Sequence, residues 1–312
     1  VFSTNHPATA WVEVGGEAYY DLFVRYAVKL EEYEYWLSVI GSRNSCSKTD
    51  HDATMMATKW DYYNQSGVTR PCYNCQIAVS DGVIINSAVY QTPADNVTWQ
   101  EFLDQYNEYH GKYPEYPVAD AGYGNYDNYM YNFQHGMNLV QKYTMYGKAE
   151  EPKFRRKIYH TWNWERTEEG FKVCPQGRVF DDWLFDKYQT SPRGNLTIKQ
   201  VYGEKDHCEG CPVKMECNKG KEKHINRDIV QEQFYEEVDR QLSTEAGIRM
   251  KKQRCAQVEG AFGVIKQNMK FTRFTRRGMK NVKMEFLLVC LGYDLIKYHQ
   301  SRLTVSHTDR LS

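Results

Sequence analysis

Six residues constrain the fold most: Val118-Ala119-Asp120-Ala121-Gly122-Tyr123. Small apolar side chains lead into a carboxylate and then a glycine, the pattern of a buried strand that ends in an acid and turns sharply. A second carboxylate, Glu259, stands in Val258-Glu-Gly-Ala-Phe-Gly-Val-Ile-Lys266, where Val258, Phe262, Ile265 and Met269 fall on one face at helical spacing. An acid at a strand end and an acid on a helix, brought together, make a divalent-metal site, because magnesium favours oxygen ligands. From spacing alone the alternative stays open that Asp120 merely ends a strand and Glu259 is one exposed helix residue.

The rest of the chain fits elements around these two segments. Trp11-Val12-Glu13-Val14 reads as a short strand, and Tyr19 to Ile40 has helical spacing through Leu22, Tyr26, Leu30, Tyr33 and Leu37, with Gly41 as its stop. Cys75, Ile77 and Val79 alternate with Asn74, Gln76 and Ala78, and Val83 to Tyr90 returns as their antiparallel partner about the Asp81-Gly82 turn. Asp95 or Asn96 caps a helix that runs to His110, with Phe102, Leu103 and Tyr106 inward and Gly111 beyond. Pro117 to Asp120 then makes the central strand, Tyr126 to Gln134 a short helix ended by Gly136, and Met137 to Tyr143 a final strand. A helix crossing over between strands implies an α/β sheet. Lys148 to Lys223 breaks the pattern with charge, tryptophan, glycine and four cysteines, after which helices cover 228–243, about 247–269 and 284–300. The expected organisation is therefore an uncertain, helical segment over 1–50, the first part of a core over 51–147, a cysteine-rich insertion over 148–223, and helices completing the core over 224–312.

Ala119-Asp-Ala-Gly-Tyr123, followed by Glu259-Gly-Ala-Phe-Gly-Val-Ile-Lys266, resembles the DDE transposases of bacterial insertion sequences, in the branch with a cysteine-bearing insert between the second and third acids. The resemblance runs from about Tyr33 to Tyr298. It implies a ribonuclease-H-like mixed sheet flanked by helices, and an enzyme that cleaves and joins DNA strands with magnesium or manganese held by Asp120 and Glu259. Water, then a 3′-hydroxyl, would be the nucleophiles. The family has a lysine seven residues after its glutamate, matched by Lys266, which shares a face with Glu259 and can reach a phosphate. Its arginine stands four residues before the glutamate, whereas Arg254 stands five before, on another face of an α-helix. The first acid is expected on a strand beside that of Asp120. Glu13 is one carbon longer than the expected aspartate, and Asp50 and Asp52, in Ser47-Lys-Thr-Asp-His-Asp-Ala-Thr54, read as loop residues. With two acids the chain is expected to bind metal weakly and to lack turnover, and with Val1 in place of a methionine it is expected to be a truncated copy.

Charge and cysteine placement carry two further expectations. The chain holds 40 basic and 40 acidic residues, so any bias toward nucleic acid must be local. Residues 248–283 supply it, with eleven Lys and Arg against one acid, Glu259. Lys266, Lys270, Arg273, Arg276 and Arg277 are the candidate DNA contacts, and Phe271 and Phe274 between them can pack on sugars or bases. Cys208-Glu-Gly-Cys211, Cys217 and Cys174 give four thiols in the insertion, the ligand number of a structural zinc, though His207 could replace one. Cys72 and Cys75 have the same gap but alternate along a strand and are not taken as a site.

The longest apolar run, 286–291, is too short to span a bilayer, and a cytoplasmic, nucleoid-associated bacterial protein is expected. Its partner is double-stranded DNA, as element ends and as target, with room for a homodimer and none for a membrane. Two rivals remain: a catalytically inactive DNA-binding transposase remnant, and a structural zinc protein without a DNA role, against which the basic run argues.

Overall fold

Helices and small antiparallel sheets share residues 21–57 and 68–308, which the computed structural model describes. Glu13 and the 11–14 strand lie outside the described residues. The chain divides into two units, one of residues 1–76, 88–93 and 271–292, the other of 77–87, 94–270 and 293–312. The hairpin of β3 (Asn74–Ser80) and β4 (Val83–Tyr90), and the last helix, contribute residues to both.

In the first unit a π-helical turn, Asp21–Tyr26, leads into helix α1 (Ala27–Ile40), which ends at Gly41 with φ +60°. The helix matches its apolar spacing, but the burial that spacing implies is absent: Tyr26, Leu30, Tyr33 and Leu37 are all more than half exposed. Arg43 fixes the chain beyond it by donating to the carbonyls of Val39, Ile40, His51 and Asp52. Strands β1 (Thr54–Ala57) and β2 (Thr69–Cys72) pair antiparallel, Thr54 opposite Cys72.

The loop before β1 has a definite task at the start of the last helix. Asp50 Oδ1 accepts the Gly278 amide at 3.1 Å and its Oδ2 accepts the Tyr73 hydroxyl at 2.9 Å, while Asp52 Oδ2 accepts the Met279 amide at 2.7 Å. Helix amides left unpaired in the first turn are thus satisfied by two carboxylates, which also suit the positive end of the helix dipole.

The second unit is built on two apolar clusters. One joins Tyr129, Leu139, Val140, Tyr143, Phe234, Val238 and Leu242; the other joins Trp99, Leu103, Ala119 and Met137. Helix α2 (Trp99–His110) gives Trp99, Phe102 and Leu103 to the interior, and α3 (Tyr126–Gln134) is started by the Asn125 side chain, which accepts the Asn128 amide at 3.0 Å. At the hairpin tip Asp81 and Gly82 both have positive φ, as a two-residue hairpin turn requires.

The expected central strand, 117–120, and final strand, 137–143, have no ladder. The two stretches instead meet largely through side-chain amides: Gln141 Nε2 donates to the Pro117 carbonyl, Asn138 donates its side-chain amide and its backbone amide to the Glu115 carbonyl, and Asn132, itself bonded to Trp99, donates to Gln141 Oε1. Pro117 has no amide to offer a neighbouring strand, and the buried Gln141 takes its carbonyl, so packing survives where pairing does not. The parallel contact that remains is a single bridge, Gly124 to Tyr143. A β-carbon on Gly124 would sit 2.0 Å from the Lys142 carbonyl oxygen, so only glycine permits that approach. The mixed α/β class stands; a continuous ribonuclease-H-like mixed sheet is not seen among the described residues.

From 148 onward come two three-stranded antiparallel sheets: β5 (Glu165–Arg166), β6 (Lys172–Val173) and β7 (Val179–Phe180), then β8 (Asp182–Thr190), β9 (Leu196–Gly203) and β10 (Ile225–Arg227), with β9 central. Helix α4 (Ile229–Ser243) begins at Asp228, whose side chain accepts the Gln231 amide, and α5 (Glu245–Arg254) at Thr244, which accepts the Gly247 amide. Helical backbone then continues through a π-helical turn (Cys255–Glu259), one α turn (Gly260–Gly263) and a second π-helical turn (Val264–Asn268). The last helix, α6 (Met279–Thr308), buries Val282, Phe286, Cys290 and Tyr293.

Candidate metal and nucleic-acid site

Asp120 and Glu259 meet at one cation. The Arg254 guanidinium places Nη1 3.9 Å from Asp120 Oδ2 and Nη2 3.7 Å from Glu259 Oε1. Asp120 follows the buried Ala119, and its Oδ1 accepts the Gly122 amide at 2.9 Å, which fixes the carboxyl in the turn. Arg254 is the most enclosed of the three side chains, 19% exposed against 51% for Asp120 and 72% for Glu259.

The five-residue gap between Arg254 and Glu259 does not turn the arginine away. Cys255–Glu259 is a π-helical turn, in which bonding runs i to i+5 and one extra residue completes the circuit. That residue returns Glu259 to the face of Arg254. A strict α-helical period cannot give this result, and nothing in the local sequence announces the π turn. Lys266 is exposed, and its ammonium lies 5.4 Å from the centre of the Phe262 ring, one turn back.

Asp95 is a residue that sequence reasoning passed over as a mere helix cap. A β-carbon built on Gly122 would stand 3.0 Å from Asp120 Oδ1 and 3.8 Å from Asp95 Oδ2, so the two carboxyls flank the same glycine. The available signal was the acid's position just before a helix that leads to the Asp120 segment. Asp50 and Asp52, by contrast, are engaged at the start of α6.

The donor set suits a hard cation: Asp120 and Glu259 offer only oxygen, are both partly exposed, and already converge on a positive charge. They are two ligands and not three. Among the described residues no three His, Cys, Asp or Glu side chains are spaced to hold a metal ion.

The basic run divides at residue 270 between the two units. In the second unit Lys266 and Lys270 are exposed; in the first, Arg273, Arg276 and Arg277 are exposed. Phe271 and Phe274 have another use than stacking on bases. Their rings pack on each other at 5.3 Å, and Phe274 meets Tyr73 and Phe286 at 6.0 and 6.4 Å. Glu285 holds the loop by accepting the Thr275 amide and hydroxyl and the Arg276 amide at 3.0, 2.6 and 3.0 Å. Burial pushes the Glu285 carboxyl upward, but those donors outweigh it and hold it below the usual carboxylate range. The arginines therefore project from an ordered loop.

Residues 173–299, less than half of the chain, match the family model of the transposase DDE domain. No curated protein and no solved structure matches the chain. The matched stretch contains Cys174, Cys208, Cys211, Cys217, Arg254, Glu259 and the basic run; Asp120 lies outside it. The match supports a DDE transposase, an enzyme class whose substrate is DNA, and among the described residues no helix is long and apolar enough to cross a membrane.

Proposed function

We propose that this chain is a DDE transposase of a bacterial insertion sequence, acting on double-stranded DNA beside the nucleoid. The convergence of Asp120 and Glu259 on one guanidinium, from segments far apart in sequence, carries the proposal. Asp120 and Glu259 would hold magnesium or manganese. When bound, such an ion polarises a phosphodiester and activates an oxygen nucleophile. Arg254 balances the two carboxylates, and the short turn at Gly122 fixes one of them. Lys266, Lys270, Arg273, Arg276 and Arg277 neutralise backbone phosphates, a task for exposed cations without sequence preference.

Strand cleavage and joining on duplex DNA carrying the element's ends tests this, with magnesium or manganese present. Activity that Asp120→Asn and Glu259→Gln each remove supports it; activity that survives both overturns it. A second reading, a DNA-binding remnant without turnover, is favoured by one observation: among the described residues two carboxylates, Asp120 and Glu259, pair with Arg254, and no third joins them as a metal ligand. That reading predicts salt-dependent DNA binding with no cleavage.

A further inference from the structure

None of the residues proposed to act on DNA lies in the cysteine-rich stretch, yet its thiols gather. Cys174, Cys208, Cys211 and Cys217 all line one cavity of about 20 Å3, which none of the other five cysteines lines. That is room for about one water-sized occupant. The four come from three separate pieces of chain. Cys174 opens the turn between β6 and β7, closed by its amide on the Arg178 carbonyl at 2.9 Å and the Gly177 amide on its own carbonyl at 2.8 Å. Cys208 and Cys211 form a turn after β9, where His207 and Cys208 both take positive φ, 51° and 60°, an uncommon conformation for residues with a side chain. Cys217 ends the single helical turn Lys214–Cys217.

Groups behind the thiols hold these pieces in place. Glu204, 6% exposed, accepts the Cys208 amide at 2.8 Å and pairs with Arg178 at 3.1 Å; Arg178 also donates to the Glu209 carbonyl at 2.8 Å. Lys223 Nζ stands 3.4 Å from Cys217 Sγ and 4.6 Å from the centre of the Trp164 ring. His207 and His224 are engaged elsewhere, on Glu222 at 2.7 and 2.9 Å, which leaves the four sulfurs as the donor set.

We propose that Cys174, Cys208, Cys211 and Cys217 close around one zinc ion, joining the β6–β7 turn to the end of β9. Four sulfur donors suit tetrahedral zinc and leave no position for water, so the ion is structural. The sulfurs are not yet at metal-bonding spacing, and all four cysteines are partly exposed, so their side chains have room to turn inward. Each thiol releases its proton to solvent as its sulfur binds. The stretch needs such a tie because Trp183, Phe185, Tyr188, Leu196 and Ile198 on β8 and β9 are exposed and give it little interior.

Two measurements on the purified 312-residue chain test the site without DNA. After chelation and return of zinc, about one zinc per chain is expected, with Cys174, Cys208, Cys211 and Cys217 protected from alkylation and the other cysteines reacting as before, read by peptide mass spectrometry. Cobalt in place of zinc should give the intense visible absorption of a tetrahedral thiolate complex. No zinc retained, protection of a different set, or cobalt bound without thiolate absorption overturns the proposal. Because the wild-type chain is used, a variant that fails to fold cannot mimic either result, and DNA cleavage enters neither readout.

Discussion

The chain holds two pairs of acids that look alike on paper and differ in what surrounds them. Asp50 and Asp52 receive backbone amides, a tyrosine hydroxyl and the Gln91 amide, and are turned to the start of a helix. Among the described residues Asp120 and Glu259 receive one backbone amide between them and otherwise face a single arginine while remaining half exposed or more. A carboxylate surrounded by donors stabilises the fold and has little left for a ligand. A partly exposed carboxylate held against one side-chain cation adds little stability, since exposed ion pairs contribute about 0–1 kcal/mol, and it keeps lone pairs free for a ligand. Surroundings, more than residue type or motif, separate the two roles.

The contrast can be broken most sharply at the caps. Asp52→Ala should cost about 1–2 kcal/mol of stability, because it strands the Met279 amide at a helix start, and chemical denaturation would read the loss. Divalent-metal affinity should not change. On the other side, inserting one alanine after Ala256 should set Glu259 six residues after Arg254 and swing it off the arginine's face. Metal binding should then fall about tenfold while the helix content measured by circular dichroism is kept. Arg254→Gln removes the resident cation from Asp120 and Glu259 and should tighten manganese binding several-fold in a calorimetric titration; weaker binding would mean that the arginine supports the ion rather than standing in its place. The smallest effect is expected from Asp120→Asn on stability, within about 0.5 kcal/mol, as for other surface changes.

Lowering pH gives a further separation. The Glu285 carboxyl is held below its usual range in the folded chain, so its contribution is complete above the unfolded value and is lost as pH falls through the folded one. The Phe271–Arg277 loop should therefore loosen only in acid, and Glu285→Gln should remove that pH dependence of loop proteolysis.

How much of this could be read from sequence depended on how local the signal was. The Asp81-Gly82 turn, the helix Tyr126–Gln134 and the stop at Gly111 were legible because turns and helix stops act within a few residues. The strand at 117–120 was not, because a ladder depends on what lies alongside, and there Pro117 and the amide of Gln141 replace strand pairing. The apolar face of α1 was legible as helix but not as surface, since periodicity says nothing about whether a covering element exists. Asp120 and Glu259 were singled out by motif; their shared arginine was misjudged because the period of 3.6 was assumed across a π turn. Asp95 was hidden because its approach to Asp120 arises from a fold around Gly122.

The central claim is that Asp120 and Glu259 form one divalent-cation site while Asp50 and Asp52 form none. Manganese titration of the 312-residue chain, followed by electron paramagnetic resonance of the free ion, tests it most directly. Weak binding to the wild type is predicted, reduced about tenfold or more by Asp120→Asn and by Glu259→Gln, and unchanged by Asp52→Asn, which keeps a capping oxygen. Binding that survives both of the first substitutions, or that is lost with Asp52→Asn, would contradict it.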